Sequence, residues 1–262
     1  MKKSVLAIAA FYGLLCAFSA QATVIDDSAS GATSYWGSDA HGYGDVIGDS
    51  PYDINSADVT RTGNTLTIKI STNFAGHAGD DAWAAPNGIG YGDLFLSPTW
   101  NPFGTDVHHP DDNAANGTHW TYGLSLDNRW SNTGGTFTLY SLNGADNSSN
   151  ALLSDSFLSC GLGTQCYYRN GQDVAVNTSS STVSNTGVTG SWTVVAGSQI
   201  VFTLNVTGTS LSSYNDLAIH WGETCQNDVI EGLANVVPEP APFAIFGLGL
   251  IGLSFARRKR DN

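Results

Sequence analysis

Asn64-Thr65-Leu66-Thr67-Ile68-Lys69-Ile70-Ser71-Thr72 alternates apolar and polar residues without interruption. Leu66, Ile68 and Ile70 share one face, while Thr67, Lys69 and Ser71 share the other, which is the period of two of a half-buried strand. Thr62-Gly63 stands just before it, so Asp58 to Arg61 can pair back across that turn as an antiparallel hairpin. Working outward, the same kind of signal marks Gly92 to Ser97, Trp120 to Leu126, Thr136 to Ser141, Asp173 to Val176, Ser191 to Val195, Gln199 to Val206 and Asp216 to Trp221. Each lies between clusters of Gly, Asn, Asp or Ser, the residues of turns. No stretch of residues 23–236 keeps a helical period, and the 30 glycines suit short strands joined by turns. The expected fold is all-β, an antiparallel β-sandwich of jelly-roll type. Polar connections over residues 37–56, 76–90 and 101–118 are longer than ordinary ones and have the composition of either solvated loops or ligand-contacting ones.

Both ends of the chain read as signals. Lys2 and Lys3 precede an apolar stretch from Val5 to Phe18, and Ala20-Gln21-Ala22 supplies the small residues a signal peptidase needs, so residues 1–22 read as a signal peptide and Thr23 as the first mature residue. Cys16 follows Leu15, not the small residue of a lipoprotein signal, and leaves with the peptide. At the other end stand Pro238-Glu239-Pro240, an uncharged run from Ala241 to Ala256, and Arg257-Arg258-Lys259-Arg260. As a helix that run reaches about 24 Å, short of the roughly 30 Å hydrocarbon core. The basic cluster stays on the cytoplasmic side, because carrying Arg or Lys through hydrocarbon costs several kcal/mol. The body before it therefore faces outward. Gly247, Gly249 and Gly252 spell a dinucleotide fingerprint, but no strand precedes them; in an apolar helix they allow close helix contact.

The order Pro-Glu-Pro, short apolar helix and basic cluster in residues 237–262 resembles the PEP-CTERM sorting signal of Gram-negative bacteria. That resemblance implies recognition and cleavage by an exosortase-type enzyme near residues 237–240. It also implies transient residence in the inner membrane, then delivery to the cell surface or to a matrix rich in exopolysaccharide, as in a biofilm. His220-Trp221-Gly222-Glu223-Thr224-Cys225-Gln226-Asn227-Asp228 also looks like a segment that many such proteins carry ahead of the signal. Between the two signals, residues 23–236 make one extracellular domain.

Removing both signals sharpens the charge. Only Arg61, Lys69, Arg129 and Arg169 remain basic, against 21 acidic side chains (the 23 of the chain less Glu239 and Asp261), a net charge of −17. Such a body is a poor partner for nucleic acid. It suits divalent cations, and a structural Ca2+ could draw on Asp45, Asp49, Asp53 and Asp58, on Asp80-Asp81 with Asp93, or on Asp111-Asp112-Asn113, although none reproduces the Asp-x-Asp-x-Asp-Gly loop. His108-His109-Pro110-Asp111-Asp112 with His119 is a weaker metal pattern, since Pro110 separates the groups. The metal, if any, stays unassigned.

Cys160 and Cys166 enclose five residues and are expected to form a disulfide in an oxidising compartment. Cys225 is then left over, as a buried thiol or an exposed one. No catalytic set emerges: the only glutamates of the body are Glu223 and Glu231, no Gly-x-Ser-x-Gly elbow is present, and Cys-x5-Cys fits no redox motif. Of seven tryptophans, Trp120, Trp192 and Trp221 lie in strand patterns and read as core, while Trp36, Trp83 and Trp100 lie in loops with Tyr35, Tyr43 and Tyr91 near in sequence, where exposed rings could stack on sugars. The expectation is a non-enzymatic exported surface protein with a structural or adhesive role. Its rivals are a carbohydrate-binding module using those loop tryptophans and a secreted hydrolase with an Asp pair still to be identified.

Overall fold

A computed structural model describes residues 23–27, 51–104, 113–158 and 171–236. Among these residues twelve strands run in chain order: β1 (Thr23–Asp26), β2 (Ile54–Thr62), β3 (Thr65–Thr72), β4 (Leu94–Ser97), β5 (Tyr122–Leu126), β6 (Gly134–Leu142), β7 (Ala151–Leu153), β8 (Asp173–Val176), β9 (Val183–Val195), β10 (Gln199–Asn205), β11 (Asp216–Gly222) and β12 (Val229–Asn235). Among the described residues no helix is long and apolar enough to cross a membrane. The signal peptide and the apolar C-terminal run lie outside the described residues.

The hairpin read from sequence forms β2 and β3, with Thr62 opposite Thr65 and Gly63 at φ 59° in the first turn position, where a type II′ turn reserves a place for glycine. A Cβ on Gly63 would meet nothing within 4 Å, so conformation and not space requires it. Leu66, Ile68 and Ile70 are buried and oppose Leu204, Phe202 and Ile200 of β10. Each such side chain contributes about 1.5–3 kcal/mol by leaving water.

The all-β antiparallel expectation holds, but the arrangement differs from two stacked sheets. Ten strands form one sheet in the order β1-β2-β3-β10-β9-β6-β5-β4-β11-β12, and β7 and β8 form a separate pair. The large sheet curls until its two ends meet. Thr23 Oγ1 on β1 donates to the Asn235 carbonyl on β12 at 2.8 Å, and a Cβ on Gly232 would lie 2.6 Å from Ile25 Cγ2. Near-closure covers both sheet edges, which would otherwise expose unpaired backbone groups. The main core fills the inside of the roll, with Trp192, Trp221, Phe137 and Phe202 among its largest members.

A second, smaller core sits outside the roll. Phe95, Trp120, Leu142, Ala151, Val176 and Ala218 pack together there, with the β7–β8 pair contributing Ala151 and Val176. Only this region has the two-layer character of a sandwich. It also explains why all four residues of β4 are buried: Leu94 and Leu96 face the main core and Phe95 the second one.

Strand β12 has no counterpart among the strands expected from sequence, because Val229-Ile230-Glu231-Gly232 breaks the alternation. The Ser-, Asn- and Gly-rich first half of β9 hid for the same reason. Arg61 is another departure. It points inward at 5% exposure, and its guanidinium donates to the carbonyls of Leu211 and Ser212 at 2.8 and 3.2 Å, plugging one end of the roll.

Candidate functional site

The last three residues of β11 and the connection to β12 make up the segment His220 to Asp228, and its polar side chains are almost all inside the protein. His220, Glu223, Thr224, Gln226 and Asp228 are buried, as is Cys225, the free cysteine among the described residues. Several residues of the segment tie elements together. The Asp228 carboxylate accepts from the backbone N–H groups of Ile54 and Val229 at 2.7 and 3.0 Å, tying the start of β2 to the start of β12. Thr224 Oγ1 accepts from the Gly90 N–H at 3.0 Å, while its own N–H donates to the Gly90 carbonyl at 2.9 Å. Trp221 Nε1 donates to the Gly92 carbonyl at 3.1 Å. The segment therefore acts as a clasp binding this end of the roll to the loop over residues 76–90.

Glu223 and Gln226 stand apart in that clasp. Both are 0% exposed, and neither the carboxyl oxygens of Glu223 nor the side-chain amide of Gln226 has a hydrogen-bond partner. Burial pushes the Glu223 carboxyl well above its ordinary range, and the negative charges of Asp27 and Asp53 push it further the same way. Burial likewise raises the Cys225 thiol well above its usual value, with Glu223 adding to the effect, so this sulfur is not an activated nucleophile.

Beside the clasp lies a cleft of about 140 Å³ lined by Tyr52, Asp81, Trp83, Ala84, Ile89, Leu158, Cys225 and Asn227. Tyr52 donates its hydroxyl proton to Asp81 Oδ2, and Trp83 Nε1 donates to Asp81 Oδ1 at 2.7 Å. The Tyr52 hydroxyl is raised far beyond its ordinary value by burial and by that bond, so it stays a proton donor. Trp83 is 61% exposed. Asp81 has φ 55° and Gln226 φ 51°, the left-handed non-glycine residues among those described, and both belong to this corner. The loop carrying Trp83 is folded on itself: Gly79 N–H donates to the Ile89 carbonyl at 2.8 Å, and Ile89 N–H to the Asp80 carbonyl at 2.8 Å. It is not a solvated excursion.

Of the three loop tryptophans, Trp36 lies outside the described residues. Trp83 and Trp100 are exposed and bond different carboxylates: Trp100 Nε1 donates to Glu231 Oε2 at 3.2 Å, whereas Trp83 Nε1 donates to Asp81 Oδ1. Tyr91, expected beside them, is 0% exposed, because its ring packs against Phe74, Trp192 and Trp221 in the main core. Trp120, Trp192 and Trp221 are buried as the strand pattern requires. Cys160 and Cys166, and the signal residues Pro238, Glu239, Pro240, Arg257, Arg258, Lys259 and Arg260, lie outside the described residues.

Asp93 does not join Asp80 and Asp81. It is buried and holds Arg129 at 3.1 Å and the N–H groups of Leu126 and Val176 at 3.0 and 2.8 Å, while Asp80 pairs with His77 at 2.9 Å. His119 Nε2 lies 2.9 Å from the Gly144 carbonyl. Among the described residues no group of three or more His, Cys, Asp or Glu side chains is assembled to hold a metal ion. The resemblance singles out the segment but not its burial, which depends on pairing of Glu223 with Tyr91 and of Thr224 with Gly90, both more than a hundred residues away.

Residues 236–260 match the family model for the PEP-CTERM protein-sorting motif. The chain thus carries a PEP-CTERM sorting signal, which implies export through the membrane to the cell surface and processing by an exosortase-type enzyme. No curated protein and no solved structure matches it.

Proposed function

We propose that this chain is a non-enzymatic surface or extracellular-matrix protein whose β-roll has a structural or adhesive role linked to exopolysaccharide. The observation that carries the reading is the sorting motif at residues 236–260, joined directly to a folded all-β body. A body of net charge −17 stays soluble and self-repelling after release. The non-enzymatic reading draws support from the cleft, where, among the described residues, Asp81 is the single lining carboxylate and is already engaged by Tyr52 and Trp83. A glycosidase needs two carboxyl groups facing across the sugar.

One observation favours a carbohydrate-binding role in particular. Trp83 presents an open ring face beside a cleft that also offers the Asp81 carboxylate and the Asn227 amide, the mixture of stacking surface and oriented polar groups that sugar sites use. The test is retention of the mature protein, purified from its host, on a panel of immobilised polysaccharides, with Trp83→Ala alongside. The reading expects retention that the variant loses. No retention on any glycan, or equal retention by the variant, would remove it.

A further inference from the structure

The two processing junctions leave the fold at one place. Thr23, the residue after the signal-peptidase cut, donates to the carbonyl of Asn235, and the N–H of Val236 donates to the Asn215 carbonyl at 2.7 Å just before the sorting motif. Register extends that end across the sheet. Asn205 opposes Thr65, the Val206 N–H donates to the Asn64 carbonyl at 2.8 Å, and Asp216 opposes Asn235. The hairpin turn 62–65 and the connection 205–215 therefore surround the junctions. Neither contains an Asp, Glu, Lys or Arg.

The opposite end is acidic. Antiparallel β11 and β12 carry the chain about 20 Å along the roll to the clasp. Glu223 and Asp228 lie there, with Asp53 next to Ile54, whose N–H Asp228 holds, and Asp27, whose N–H donates to the Asn55 carbonyl at 3.0 Å. Asp80 and Asp81 line the loop and cleft at the same end. So the fold separates a sparsely charged end bearing both junctions, where the ionisable neighbours among the described residues include exposed Asp216, which accepts from the Asn235 amide at 3.2 Å, and the inward-turned Arg61, from an acidic end bearing the cleft.

We propose that the sparsely charged end, formed by residues 62–65 and 205–215 around Thr23 and Asn235, is the surface that rests against the bilayer while the chain is tethered, with the cleft held outward. An anionic headgroup layer repels carboxylates within about a Debye length, roughly 8–10 Å. Hydroxyl and amide side chains meet no such penalty. The acidic end gains by pointing away, and the short link from Val236 to the apolar run leaves the body little freedom to turn over. The cleft is then open to ligand before processing, and cleavage changes tethering without changing its access.

The inference rests on the sorting reading, in that the tail must enter lipid. Full-length chain with the tail retained, reconstituted in vesicles of phosphatidylethanolamine and phosphatidylglycerol, would carry a donor dye on a cysteine introduced at Thr207 or at Ala82, both exposed, with an acceptor on the lipid headgroups. The parent chain, labelled identically, supplies the background. Moving the dye from Thr207 to Ala82 should cut energy transfer to roughly half or less, given about 20 Å of intervening strand. Chain that floats with the vesicles yet gives equal or reversed transfer overturns this orientation. Chain that does not float with them overturns the sorting reading itself.

Discussion

His220 Nδ1 lies 2.7 Å from Glu231 Oε1, and the two residues are direct cross-strand partners on β11 and β12. The other ring nitrogen lies 2.7 Å from the carbonyl oxygen of Asp173, which only accepts. Two acceptors on two ring nitrogens are both satisfied only by the imidazolium form. Burial alone would lower the His220 pKa, but the Glu231 bond and the charges of Glu231 and Asp173 outweigh it, so the net shift is upward.

Stability should therefore fall as pH rises. A histidine with a raised folded-state pKa keeps its contribution below about 6.5 and loses it as pH climbs through the folded value. Asp173, pushed up to about 7 chiefly by burial, also binds its proton more tightly when folded, so the native state loses ground between about pH 4 and 7. Glu223 acts in the same direction. Thermal melts should give a Tm roughly 5 °C or more lower at pH 8 than at pH 5. A Tm that rises over that interval would refute the assignment.

Glu223→Gln removes the cost of ionising a carboxyl that has no partner. At pH 8 the variant should be as stable as the parent or more so by about 1–3 kcal/mol, while Glu223→Ala should be less stable through the cavity it leaves. Urea unfolding midpoints decide it. Equal losses for Gln and Ala would show that the carboxyl itself is needed.

Asp93 joins three elements through one carboxylate: Leu126 at the end of β5, Val176 on β8, and Arg129. Asp93→Ala leaves the Arg129 charge and two buried N–H groups without that acceptor, and should cost about 3–5 kcal/mol by denaturant titration. A loss under about 1 kcal/mol would mean that water replaces the carboxylate.

Gly88 has φ 72°, and a Cβ there would lie 2.2 Å from the Gly79 carbonyl oxygen. Gly88→Ala should open the loop that carries Trp83 and abolish glycan retention. The main core should survive, with near-ultraviolet circular dichroism close to the parent's. Retention unchanged by the substitution would show that the loop's closure does not shape the site.

Tryptophans divide by exposure. Trp83→Ala should alter stability by no more than about 0.5 kcal/mol, whereas Trp192→Ala should cost about 3–5 kcal/mol. Chemical denaturation compares the two, and a large loss for Trp83 would make its ring a structural prop and not an open platform.

Local pattern made much of this protein legible. Alternation in Thr65 to Thr72 needs only neighbouring residues, so β3 and its hairpin with β2 could be read directly. The sorting tail was legible for the same reason, since hydropathy and a terminal cation cluster are properties of a short stretch. Trp120, Trp192 and Trp221 read as interior because each lies within a strand pattern. Only tertiary structure decided the rest. Whether ten strands stack as two sheets or curl into one depends on twist and on the meeting of Thr23 with Asn235, more than two hundred residues apart. Tyr91 is buried because Phe74, Trp192 and Trp221 converge on it, and Arg61 turns inward because the 205–215 connection brings carbonyls to its guanidinium. Burial is set by what packs from elsewhere in the chain, and no window of sequence contains that information.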